Sequence, residues 1–116
     1  MFEWNKEKFD FNFLNADTMK RFGAAEKTMW EGLSGYEKEH APDGNLTADG
    51  VIAECSIIDT FFNDLFGEDA AGKMFTQEHD LGERVKAVKK LYRLREEQLK
   101  GHAKAVNDIT RLVQRK

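Results

Sequence analysis

Near the start of the chain Phe9, Phe11 and Phe13 alternate with Asp10 and Asn12. This is the period-two pattern of a half-buried strand, and it would place three phenyl rings on one face. A lone strand leaves backbone groups unpaired. The pattern therefore calls for a mate, either Phe2–Trp4 in a hairpin or a strand from another copy or partner.

The period then changes to steps of three and four. Met19, Phe22, Ala25, Met29, Leu33 and Tyr36 follow Asn15-Ala16-Asp17, where Asn15 or Asp17 can cap free N–H groups. The spacing predicts a first helix over roughly residues 17–39. The loop His40-Ala41-Pro42-Asp43-Gly44-Asn45 holds the chain's single proline, and Thr47 offers the next cap. A second helix carries the wide stripe Val51, Ile52, Cys55, Ile58, Phe61, Phe62, Leu65 and Phe66, and Gly67 suits a left-handed helix end. Glu68 to Phe75 predicts a short helix weakened by Gly72, after which Asp80 can cap another.

From Leu81 onward, Val85, Val88, Tyr92, Arg95, Leu99, His102, Val106, Ile109 and Val113 follow the alternating steps of a coiled-coil-like seam. At 1.5 Å per residue this helix is about 50 Å long, more than a small domain covers, so the part from about residue 100 onward is expected to project. Arg95 and His102 are polar seam positions, and Gly101 marks a place for a bend or for choosing register. The expected fold is mainly α. It has three or four helices, a short N-terminal aromatic β-strand or hairpin and a long C-terminal helix, all within one domain spanning 1–116.

Composition agrees with a folded chain, with 41% hydrophobic and 34% charged residues in 116. The net charge of −3 and the mixture of signs disfavour nucleic acid. Basic residues from Lys86 to Lys116 are diluted by Glu83, Glu96, Glu97 and Asp108, and read as the solvated flank of a helix. Cys55, the single cysteine, sits among apolar neighbours and cannot form an internal disulfide. No secretory signal and no spanning segment is legible, so the expected place is the cytosol, without a membrane partner.

Candidate chemistry is sparse. Asp43 to Glu54 has oxygen side chains at positions 1, 3, 5, 7 and 12 of an EF-hand loop, but Ala48 occupies the position that needs glycine. A register placing Gly50 there loses the acidic first and last ligands. His40, His79 and His102 lack the spacing of a zinc site. Glu37-Lys38-Glu39 and Glu96-Glu97 read as solvated helix faces, and no phosphate-cradling glycine run occurs. The chain is expected to be non-enzymatic, without cofactor or metal, and to act by binding proteins. The candidate contact residues are Phe9, Phe11 and Phe13 for strand pairing, and Tyr92, Leu99, Val106, Ile109 and Val113 for the helix seam.

Two resemblances bear on the partner. Trp30-Glu31-Gly32 is similar to the W-x-G tripeptide of small helical-hairpin proteins exported by type VII secretion, and Tyr92-Arg93-Leu94-Arg95-Glu96 resembles their tyrosine-plus-acid signal. That family carries W-x-G in the turn between two long helices. The stretches Phe9-Asp10-Phe11-Asn12-Phe13-Leu14-Asn15-Ala16-Asp17-Thr18 and Phe61-Phe62-Asn63-Asp64-Leu65-Phe66-Gly67-Glu68, with Lys73-Met74-Phe75, resemble small proteins from tail-gene regions of phages and prophages of Gram-positive bacteria, tail assembly chaperones among them. The resemblance implies a protein without catalytic residues, in the cytoplasm of a bacterial host cell, that binds a tape-measure protein or unpolymerised tube subunits and holds them soluble until assembly; the strand that lacks a mate points to a homo-oligomer. The last 30 or so residues depart from that group in forming a longer, more basic helix.

Overall fold

The chain opens with a tight reversal. In the computed structural model, which describes residues 1–41 and 43–114, strands β1 (Phe2–Trp4) and β2 (Glu7–Phe9) pair antiparallel, with Phe2 opposite Phe9 and Trp4 opposite Glu7. Asn5 and Lys6 join them with φ of 50° and 69°. Positive φ at both central residues is the signature of the hairpin turn whose twist matches the strands.

The aromatic strand expected over Phe9–Phe13 thus stops at Phe9, and its mate is β1. Beyond Phe9 the chain bends. The Asn15 N–H donates to the Asn12 carbonyl at 3.1 Å, and the Leu14 N–H donates to Asn12 Oδ1 at 3.1 Å. These local bonds replace a ladder and turn Phe11 and Phe13 inward.

Asn15 then caps helix α1 (Ala16–His40), accepting from the N–H groups of Asp17 and Thr18 at 3.0 and 3.1 Å. Thr47 caps helix α2 (Ala48–Phe66) through the Gly50 N–H at 3.1 Å. α2 ends at Gly67, whose φ of 117° and ψ of 160° lie outside the left-handed helical region expected there and in a region only glycine enters readily. Helix α3 (Ala70–Met74) is one short turn, tied back by the Ala71 N–H to Asn63 Oδ1 at 2.9 Å. Helix α4 (Leu81–Gln114) runs through Gly101 without a break.

α1 and α2 pack as a hairpin, and a β-carbon at Gly32 would lie only 3.2 Å from Ile57 Cγ2. The core gathers Phe2, Phe11, Phe22, Ile58, Phe61, Phe62, Met74, Ala87 and Leu91. Two residues placed on apolar stripes, Met19 and Ile52, are exposed instead.

On α4 the face turned to the core is Arg84, Ala87 and Leu91, while Val85 is exposed. The seam drawn through Leu81, Val85 and Val88 is therefore rotated from the buried face. A straight helix drifts about 20° per heptad against a 3.5-residue repeat. Over three to four heptads that drift amounts to about one residue position.

Arg84 is buried but fully engaged. Its guanidinium meets Asp59 at 2.9 and 3.3 Å, donates to the carbonyls of Gln77 (2.7 Å), Glu78 (2.9 Å) and Asp80 (3.2 Å), and lies 4.5 Å from the Phe75 ring centroid. One side chain thus fastens the loop before α4 to α2. Glu54, on α2, is buried with less compensation. Removal from water, and then the neighbouring Glu37 carboxylate of α1, push its pKa from 4.5 up to about 7.

Because the folded form holds this proton more tightly than the unfolded chain, the contribution is complete below pH 4.5 and is lost as pH rises through 7. Glu54→Gln, which keeps the shape without the charge, is expected to stabilise the protein by on the order of 2 to 3 kcal/mol at pH 8 and hardly at all at pH 4.5. Urea denaturation at the two pH values checks this, and an equal effect at both would contradict it. At the hairpin, Lys6→Gly removes the strain of a side chain at positive φ and is expected to raise stability by about 0.5 to 1 kcal/mol. A lower thermal midpoint for that variant would count against the turn described above.

Candidate interaction surface

The body holds only the first half of α4. Gln98 marks the edge of its grip: its side-chain amide accepts from the Phe13 N–H at 2.8 Å and donates from Nε2 to the Phe11 carbonyl at 2.8 Å. The amide thus supplies the strand-like partner that Phe11–Phe13 lacks. Lys90 makes a second tie, donating to the Glu3 carbonyl at 2.6 Å.

Between these two ties, Tyr92 donates its hydroxyl to Glu26 Oε2 at 2.6 Å, and burial followed by the Glu26 carboxylate raises the phenol's pKa well above its ordinary value. Arg95 lies over the rings of Tyr92, Phe22 and Phe13 at 4.9, 5.3 and 5.6 Å, and reaches Glu26 at 3.6 Å. Its Nε is buried and, among the described residues, has no hydrogen-bond partner. Beside this cluster a groove of about 510 Å³ opens between α1 and α4, lined by Gly23, Met29, Trp30, Leu33 and Tyr92. Trp30 stands 67% exposed at its rim.

Past Leu99, every residue of α4 from Lys100 to Gln114 is exposed. This free stretch is about 22 Å long. Val106, Ile109, Leu112 and Val113 are 45 to 62% exposed on it. At 100° per residue they continue the face that carries Arg84, Leu91 and Gln98 inside the body. Lys100, Lys104 and Arg111 fall on the opposite side.

The residues expected to make contacts therefore separate into two groups. Phe9, Phe11 and Phe13 lie within the chain's own core: Phe9 stacks on Phe66 at 4.8 Å, Phe11 is 4% exposed and meets Phe22 and Phe66, and Phe13 meets Phe22 edge-on at 5.4 Å. Tyr92 and Leu99 are half-buried where the body ends, and Val106, Ile109 and Val113 stand free. Leu112 belongs with them but falls off a strict seven-residue template. Trp30 was hidden by its neighbour Met29, which occupies the core-facing position of α1.

Trp30-Glu31-Gly32 lies inside α1, where its glycine serves the close approach to Ile57. It is not in a turn. The span from Asp43 to Glu54 is an Asx turn, with Asp43 accepting from Asn45, followed by the first turns of α2. Among the described residues no group of three or more histidine, cysteine or acidic side chains is placed to hold a metal ion, and no helix is long and apolar enough to cross a membrane.

Gln98→Ala removes both bonds to the Phe11–Phe13 segment and is expected to cost about 1 to 2 kcal/mol. Faster amide exchange at Phe13, with the α1 and α2 amides little changed, checks the assignment; uniform change across the body would contradict it.

Over residues 5–115 the chain matches a family of unknown function (DUF6673). No curated protein and no solved structure matches it significantly.

Proposed function

We propose that this chain, which belongs to the DUF6673 family of unknown function, is a non-enzymatic protein-binding module that presents the free half of α4 to helical or aggregation-prone partners. One observation carries this: the apolar face of α4 leaves the body uncovered, with Val106, Ile109, Leu112 and Val113 all exposed on a helix anchored at Gln98. Exposed apolar residues scattered singly need no explanation, but a contiguous stripe on a projecting helix marks a contact surface.

The more specific role rests on the sequence resemblance of Phe9–Thr18, Phe61–Glu68 and Lys73–Phe75 to phage and prophage tail-region proteins. On that basis the protein acts in the cytoplasm of a bacterial host as a self-associating tail assembly chaperone. It covers apolar surface of a tape-measure protein or of unpolymerised tube subunits before assembly. Phe9, Phe11 and Phe13 serve this role indirectly, by fixing where α4 leaves the body.

The test is co-expression with the tape-measure protein or tube subunit and capture on the tagged chain. Val106→Asp with Ile109→Asp is expected to abolish capture, since burying two unpaired carboxylates costs several kcal/mol, roughly. The helical content of the double variant should match the parent's by circular dichroism, because both positions are exposed within the chain. Undiminished capture by the double variant would sink the assignment of α4.

A further inference from the structure

We infer that in the protein alone the free half of α4 is covered by the same half of a second copy running antiparallel, with Val106 against the partner's Ile109 and Ala105 against the partner's Leu112. This rests on α4 being the contact helix and adds its resting occupant.

The width of the stripe is the first observation. Val106, Ile109 and Val113 form its centre, but the flanks are not charged as in a salt-bridged two-stranded coil: they hold Ala103 and Thr110 on one side, Ala105 and Leu112 on the other. With charges confined to the back of the helix, nothing on the flanks selects a charged foreign partner, and the small alanines allow close approach.

The order of sizes selects the register of an antiparallel pair. There, facing positions along the centre of the seam have residue numbers that sum to a constant, and each flank has a constant of its own. The alignment that sets Val106 on the partner's Ile109 also sets His102 on the partner's Val113. On the flanks it sets Ala105 by the partner's Leu112 and Ala103 by the partner's Thr110, so each small side chain meets a larger one. Shifting by one heptad either way puts Ala105 on its own copy or Leu112 on its own copy, leaving a gap or a clash.

Charge selects the antiparallel direction. Residues 1–80 carry 17 acidic and 7 basic side chains, whereas residues 81–116 carry 11 basic and 4 acidic. Parallel pairing would set the two acidic bodies side by side at one end. Antiparallel pairing separates them and brings the cationic tip of each helix toward the other's body. Gln114 comes level with the partner's Gly101, about 6 Å along the axis from the partner's Glu97 and within a Debye length.

The experiment uses two full-length variants, His102→Cys and Val113→Cys, purified separately, then oxidised alone and mixed. Both positions are exposed, and the native Cys55 is buried. Facing sites cross-link in the mixture, whereas either variant alone holds its cysteines about 16 Å apart, beyond disulfide reach, so at least a tenfold excess of disulfide dimer is expected on mixing, roughly. Sedimentation equilibrium of the parent chain should show a concentration-dependent dimer that Val106→Asp with Ile109→Asp disrupts. Cross-linking of each variant alone would establish the parallel arrangement and overturn the proposal. So would a monomer throughout the micromolar range, including one that floats with phosphatidylserine vesicles through this amphipathic face. A monomer that still captures the tail subunit overturns the pairing but leaves α4 as the contact helix, so the two failures are distinguishable.

Discussion

Everything beyond residue 99 depends on a network of aromatic rings that never reaches it. All nine phenylalanines are linked ring to ring, from Phe2 and Phe9 in the hairpin through Phe62 and Phe66 of α2 to Phe11, Phe13, Phe22, Phe61 and Phe75. Such pairs are worth about 0.5 to 1.5 kcal/mol each beyond the area they bury. Their larger effect here is positional. The network joins the N-terminal segment to α1 and α2, and Tyr92 joins it to α4 through Phe22. The direction in which α4 leaves the body is therefore set by rings contributed from four separate parts of the sequence.

Two buried charged residues handle the same constraint differently. Arg84 is surrounded by a carboxylate, three carbonyls and a ring, so its burial is compensated at nearly every donor. Glu54 has an acidic neighbour where a cation would be needed, and its environment favours the neutral acid. The first fastens the loop before α4, on which the helix depends. The second lies on α2 against Glu37 of α1, so its titration acts on the pairing of those two helices.

Much of this was legible in the sequence, and what was not has identifiable causes. Asn15 and Thr47 announced their helices because a cap is a local event, read from a few residues. The hairpin turn was not legible, since Asn5-Lys6 lacks the glycine usual for a turn with two positive φ values. The alternation of Phe9, Phe11 and Phe13 has the period of a strand, yet Asn12 bends the chain within it and the partner of that segment is a side chain, Gln98, more than eighty residues away. No local pattern encodes such a pairing. On α4 the seam was clear in its exposed half and displaced by one position in its buried half. The two halves lie on one straight face that only a 3.6-residue period follows.

The continuity of that face is itself informative. A helix meant to lie wholly on a small body would turn polar where the body ends. α4 does not: the face that carries Leu91 and Gln98 in the body carries Val106 and Ile109 outside it, and the cations keep to the opposite side. Beyond Gln98 the sequence retains the amphipathic pattern of a packed helix, but the described residues supply no further layer to pack against. Alanines at 103 and 105 would be wasted on a surface facing only water, where long charged side chains improve solubility at little cost in helix propensity. Small residues beside large apolar ones are what a close helix–helix contact requires. The layer that this pattern calls for is another helix, which the proposed pairing takes from a second copy and the proposed function from a partner protein.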